Sequence, residues 1–363
     1  MAQNCARVPD HRFSSEFRTQ RCATGMALAL VVVASLPQHA CAQTVSDTAS
    51  AALLPSQMAI VINIESPESI AVGDYYRQAR KVPERNILHV RIPKSPKSLS
   101  ALEFAPLREE ILRQLPTDIE VIALAWTAPY AVECNSITSA LSLGFDASMC
   151  TNTCAPGKLS PYFDHASVRP KSAPGFLPSM LLPADPVLMG VELIDRGVRS
   201  DGMAPQGTAY FLATSDPVRN TRVPFFPRNG MLTDSRLLLL NLQGDKLENR
   251  SDVMFYFTGT PRVSSLETLR FLPGAIADHL TSAGGYLQED VQMSSLRWIQ
   301  AGATATYGTV SEPCNYWQKF PHPGILLKHY LAGEPAVLAY WKSVAWPTQG
   351  VFVGEPLANP YRR

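Results

Sequence analysis

Hydrophobic positions along the chain fall into short continuous runs separated by stretches with helical spacing, the rhythm of an α/β sheet protein. The run MAIVINI at 58–64 predicts a strand covered on both faces. After it, Ser66 is placed to cap a helix with Pro67 in the first turn. Ile70, Tyr75, Tyr76 and Ala79 give that helix an apolar face, and Pro83 stops it. NILHVRI at 86–92 supplies the next strand, so this first unit is βαβ, with parallel strands and a right-handed crossover. The pattern recurs at 99–115, where Pro106 moves the expected start of the regular helix to about Leu107, and at 119–126, IEVIALAW.

Between 127 and 232 the rhythm gives way to Pro, Gly, Ser and Asp, with a strand candidate at 208–214 and a helical candidate, LTDSRLLLLNLQG, at 232–244. This stretch is expected to elaborate the sheet near its functional edge. DVMFYFTG at 252–259 restores the strand signal, followed by a helix around 264–270 and the apolar segment FLPGAIADHL at 271–280. A helix at 293–301 leads to the strand ATATYGTV. Two helices with Pro323 and Pro335 in their first turns follow, and then a last strand, GVFVG. The expected fold is a single α/β domain over 58–363, with a central, mostly parallel sheet, helices on both faces and a long irregular insertion.

The N-terminus changes the picture. Arg18 and Arg21 precede the apolar run 26–36, and Pro37 and the triplet Ala40-Cys41-Ala42 follow it, which is the order of a secretory signal peptide. The run is roughly 16 Å long as a helix at about 1.5 Å per residue, whereas a bilayer core takes about 20 residues. Residues 1–42 are therefore read as a signal peptide, with Met26 an alternative start of translation, and 43–57 as a linker. No later apolar stretch reaches bilayer length, so no stable membrane span is expected after cleavage. The formal net charge of +1 offers nothing to attract nucleic acid.

After cleavage four cysteines remain, Cys134, Cys150, Cys154 and Cys314, an even number suited to two disulfides in an oxidising compartment. One arrangement closes CTNTC through Cys150 and Cys154 and leaves Cys134 with Cys314; the other pairs Cys134 with Cys150 or Cys154. No metal or other cofactor is expected: HExxH, a Walker loop and GxGxxG are all missing, and His322 and His329 are about 10 Å apart along a helix.

Ligands of open α/β sheets sit at the carboxyl ends of strands, which directs attention to Thr258, to TSAGG at 281–285 and to GTVSEP at 308–313. Thr258, Thr281, Ser282, Thr309, Ser311 and Glu312 are the binding candidates, with hydroxyls and a carboxylate beside glycines that permit close approach. A hydrolase version takes Ser282 as nucleophile and His279 as base, although GxSxG is missing.

Two resemblances accompany these readings. INIESPESIAVGDYYRQARKVPERNILHVRIP, CNSITSALSLGFD, LPGAIADHLTSAGGYL and WIQAGATATYGTVSEP together resemble an uncharacterised family of exported bacterial proteins. The order of elements, with YFTG, DHLTSAGGYL and VFVGEPLANPY, is similar to gingipain-like cysteine peptidases, which implies a caspase-like sheet. At the matching places the catalytic histidine is replaced by Thr258 and the cysteine by Thr281 or Ser282. The expected function is a non-catalytic exported binding or assembly protein with a polar cleft at the sheet's carboxyl edge, its partner a peptide, a saccharide or another exported protein. The alternative is a serine- or carboxylate-dependent hydrolase. Expression with an intact N-terminus should give a periplasmic or secreted product whose first residue, by mass spectrometry, lies near Gln43; an uncut chain in carbonate-washed membranes would contradict this.

Overall fold

The computed structural model describes residues 53–172 and 176–363; the expected signal peptide and residues 43–52 of the linker lie outside them. The chain opens with β1 (Met58–Asn63), α1 (Pro67–Arg80) and β2 (Ile87–Val90). Ser66 caps α1 by accepting the Ser69 amide at 3.1 Å. β3 (Ser98–Leu99) and α2 (Ala101–Gln114) follow. α2 begins earlier than Pro106 led us to expect, because Ser100 and Glu103 form a reciprocal capping box that initiates it. The carbonyl that Pro106 leaves without a partner belongs to Leu102, which is 88 % exposed.

β4 (Val121–Leu124), β5 (Ala131–Val132), β6 (Asn135–Ser136), α3 (Ile137–Leu143) and α4 (Ala147–Thr151) come next. The region expected as an elaboration supplies the sheet itself with β7 (Ser179–Leu181) and β8 (Gly207–Ala213), joined by α5 (Val187–Ser200). The expected helix at 232–244 is instead a hairpin of β9 (Gly230–Leu232) and β10 (Leu237–Gln243). A run of leucines has no period to separate helix from strand, and here β8 and β9 satisfy its backbone on both sides.

β11 (Arg250–Gly259) and β12 (Leu269–Leu280) pair in parallel; only a single 3-10 turn precedes β12 where a helix was expected. Pro273 sits where the β11–β12 register slips, in a stretch that needs no ladder hydrogen bond. The chain ends with α6 (Leu296–Ala301), β13 (Ala305–Thr309), α7 (Pro323–Leu331), α8 (Ala336–Ser343) and β14 (Gly350–Gly354). Pro335 is the cap of α8 and not one of its first-turn residues.

One sheet of eleven strands runs β2-β1-β4-β7-β14-β13-β12-β11-β8-β10-β9, and a small sheet holds β3, β5 and β6. β2, β1, β4 and β7 are mutually parallel, as are β13, β12, β11, β8 and β10. β14 is antiparallel to β13, and β9 to β10. Successive residues of β12 serve opposite faces: Asp278 meets Arg222, while His279 meets Trp298 of α6. α1 packs on α5, and α7 on α8.

β14 is followed by Glu355, which is fully buried and ties the C-terminal segment to the first helix. It accepts bonds from the Tyr76 hydroxyl and from Nε and Nη2 of Arg80, whose Nη1 also reaches Asp201 at 2.5 Å. Gly197 of α5 permits this approach, since a Cβ there would stand 2.6 Å from Glu355 Cγ. Removing one member of a buried pair strands the other charge, so Glu355→Ala should cost about 3–5 kcal/mol in urea unfolding. Lys246→Ala, at an exposed pair, should change stability by less than about 0.5 kcal/mol. A loss below about 1 kcal/mol for Glu355→Ala would show that the tether is not a stabilising centre.

Candidate functional site at the carboxyl edge

The chain segments that follow β2, β4, β12 and β13 meet in one place. There the Tyr130 hydroxyl donates to Glu289 at 3.3 Å, Lys97 pairs with Glu289 at 3.1 Å, and the Ser311 hydroxyl donates to the Cys134 carbonyl at 2.7 Å. TSAGG and GTVSEP are adjacent, as expected: the Gly285 amide donates to the Thr309 carbonyl at 2.9 Å. Glycine is required for this contact. A Cβ on Gly285 would lie 2.7 Å from the Thr309 carbonyl carbon, and one on Gly308 would run into Gly284.

Most of the polar atoms that nominated these loops are bonded within the protein. The Thr281 hydroxyl donates to Gln292 Oε1 at 2.6 Å, and that oxygen also accepts the Ala283 amide at 2.8 Å. The Thr309 hydroxyl faces the carbonyls of Thr281 and Ser282 at 3.1 and 3.0 Å. Ser311 Oγ accepts from Gln349 Nε2 at 2.9 Å while donating to Cys134. Glu312 is exposed, and its carboxylate accepts the Cys314 amide at 2.7 Å. Thr258 is buried, its carbonyl taking Arg222 Nη2 at 2.8 Å.

His279 and Ser282 are not brought together. His279 is 1 % exposed and committed at both ring nitrogens: Nδ1 accepts the Trp298 indole N–H at 2.9 Å and Nε2 faces the Met293 carbonyl at 3.1 Å. The carbonyl must be given a proton and the indole a lone pair, so the ring is neutral with its single hydrogen on Nε2. Burial lowers its pKa to about 3, which agrees with that state. A ring so engaged has no lone pair to act as a base toward Ser282. On the opposite face Asp278 pairs with Arg222 at 2.5 Å, and burial pushes its pKa up to about 6 against the pull of the guanidinium.

The cysteines pair as Cys134–Cys150 and Cys154–Cys314. Bonding of Cys150 to Cys154 is thereby excluded, and the short spacing of CTNTC does not decide the pairing. Asn135 positions α4 instead, its side chain bonding the amide and carbonyl of Asp146, so Cys150 at the far end of that helix meets Cys134. Among the described residues no three His, Cys, Asp or Glu side chains are grouped as metal ligands.

Three hollows lie along the segment 286–301, the third of them beside the start of β12. The first, about 180 Å³, is lined by Glu65, Lys94, Trp126, Thr127, Asp185 and Gln288. The second, about 560 Å³, has Gln288, Arg262, Asp290, Met293, Arg297 and Gln300 on its walls. The third, about 360 Å³, is bounded by Leu266, Glu267, Leu269, Arg297, Gln300 and Ala301. Gln288 borders the first and second, and Arg297 and Gln300 border the second and third. Apart from Trp126 and Thr127 at the end of β4, their walls come from residues that sequence reasoning passed over, because 286–300 carries no motif and only its folded path beside β12 collects them.

The His279 assignment is checked by ¹⁵N NMR, which should show a neutral ring at pH 5. The unfolded ring protonates near 6.5 and the native ring does not, so its contribution to stability is present above pH 6.5. It is lost toward pH 3, at up to about 1.4 kcal/mol per pH unit. An imidazolium at pH 5 in the folded protein would refute the buried, doubly bonded state.

No family model matches the chain, and no curated protein matches it. A solved structure described as a protease is similar to it with a TM-score of 0.44 and 10 % identity, over 85 % of this chain and 79 % of that one. At that level the likeness carries no argument about chemistry.

Proposed function

We propose that the protein is an exported, non-catalytic binding protein that holds an extended polypeptide along a groove made by the three hollows. The observation that carries this reading is that three neighbouring hollows share wall residues, Gln288 between the first two and Arg297 and Gln300 between the last two. A row of neighbouring depressions suits a linear ligand, with successive side chains entering separate hollows. The Gln288 amide offers both a donor and an acceptor to a peptide backbone, and Gln300, whose Oε1 accepts Arg297 Nη1 at 3.1 Å, offers a donor. Leu266, Leu269 and Met293 supply apolar floor, and Arg262 is already held by Asp290 at 2.7 Å.

Catalysis is disfavoured by the commitments of the groups that would perform it. His279 is spent on Trp298 and Met293, and Thr281 and Thr309 brace the two loops. This leaves recognition as the chemistry best supported at the edge. Among the described residues no helix is long and apolar enough to cross a membrane; the proposed export rests on the signal-peptide pattern.

A display library of 12-residue peptides panned against the folded protein should enrich binders. Gln288→Trp, which fills the junction of the first two hollows at an exposed position, should weaken them by ten-fold or more, equivalent to about 1.4 kcal/mol. Absence of enrichment, or binders indifferent to the substitution, would overturn the reading.

A further inference from the structure

The two disulfides differ in how they meet solvent. Cys154 is exposed, on a loop followed by Ala155, Pro156 and Gly157, whereas Cys134, Cys150 and Cys314 are half-buried. The first bridge is partly covered by the Asn135 amide, 3.2 Å from Cys134 Sγ and 3.8 Å from Cys150 Sγ. We propose that Cys154–Cys314 is a thiol-exchange site, opened by a dithiol partner of the oxidoreductase class while Cys134–Cys150 stays closed.

Exchange begins when a thiolate of the dithiol bonds to Sγ of Cys154, the more exposed residue of the pair. The S–S bond breaks and its electron pair leaves on Cys314 Sγ. The second thiol of the donor loses its proton and attacks the donor sulfur of the mixed disulfide, releasing Cys154 as thiolate. The donor ends as a disulfide, and two electrons and two protons have passed to the Cys154–Cys314 pair.

A cation stands beside this bridge. Lys319 is 1 % exposed, its Nζ bonded to the carbonyl of Thr153 at 2.6 Å, next in sequence to Cys154. Burial lowers its pKa to about 8, with Glu312 opposing the fall, so at pH 7 the amine is still mostly an ammonium. A positive charge there favours the thiolates that exchange must form.

The bonds around the bridge do not depend on it. Ser311 stays joined to Cys134, Gln349 bonds the carbonyl of Glu312 at 2.8 Å, and Tyr316 packs on Trp346 with ring centres 5.7 Å apart. Opening is therefore local: it removes the covalent tie between the 152–156 loop and the segment after β13, leaves the Lys319–Thr153 bond in place and does not unfold the sheet.

The test titrates the folded protein with dithiothreitol, quenches in acid, alkylates with N-ethylmaleimide and reads each cysteine by mass spectrometry. Cys154 and Cys314 should reach half-labelling at no more than one-tenth of the reductant needed for Cys134 and Cys150. Labelling of all four together, or of Cys134 and Cys150 first, overturns the proposal. A chain carrying Cys154→Ser and Cys314→Ser should keep the native circular dichroism spectrum, and loss of that spectrum would show that the bridge cannot open locally.

Discussion

The close approach of two backbones at the ends of β12 and β13 sets the form of the functional edge. Gly284 and Gly285 lie against Gly308 and Thr309 at a separation that admits no Cβ on Gly285 or Gly308, and the Gly285 amide closes the contact. From this point the chain after β12 is directed along 286–300, where it forms a wall of the proposed groove, and the chain after β13 is directed toward Cys134 and Cys314. Thr281, Thr309 and Gln292 then fix the junction by hydrogen bonds. A loop whose polar atoms are consumed in this way is rigid, and rigidity limits the entropy lost when a ligand is ordered on it.

Burial divides the ionisable groups by role. Arg80 with Glu355 and Arg222 with Asp278 are paired inside the protein, where removal of either partner leaves an uncompensated charge. They join segments far apart in the chain and take no part in the groove. His279 belongs with them: its neutral ring completes the hydrogen bonding of Trp298. The proposed groove is lined instead by exposed side chains such as Gln288, Arg297 and Gln300, which a ligand would meet at little cost in desolvation.

Much of the sheet was legible in the sequence because its strands are continuously apolar and its helices have caps. MAIVINI and IEVIALAW became β1 and β4, and Ser66 and Pro323 began helices where expected. β7 escaped notice because three residues are too few to show a period, and the leucines of β10 satisfy either period. The adjacency of TSAGG and GTVSEP followed from their place after successive strands. The destination of their hydroxyls did not, since it depends on Gln292 and Gln349, and neither residue stands in a pattern that announces a partner. The disulfide pairing was hidden for the same reason: Asn135 and α4, not sequence spacing, bring Cys150 to Cys134.

Binding without turnover is the central claim, and the fate of bound peptides decides it most directly. The protein is incubated for a day with an equimolar pool of defined 12-residue peptides, and the retained fraction is eluted and weighed by mass spectrometry. The account predicts that every retained peptide is recovered at its full mass. Truncated products ending at a constant position, formed by wild type and lost in Ser282→Ala, would contradict it and place a hydrolase at the same edge.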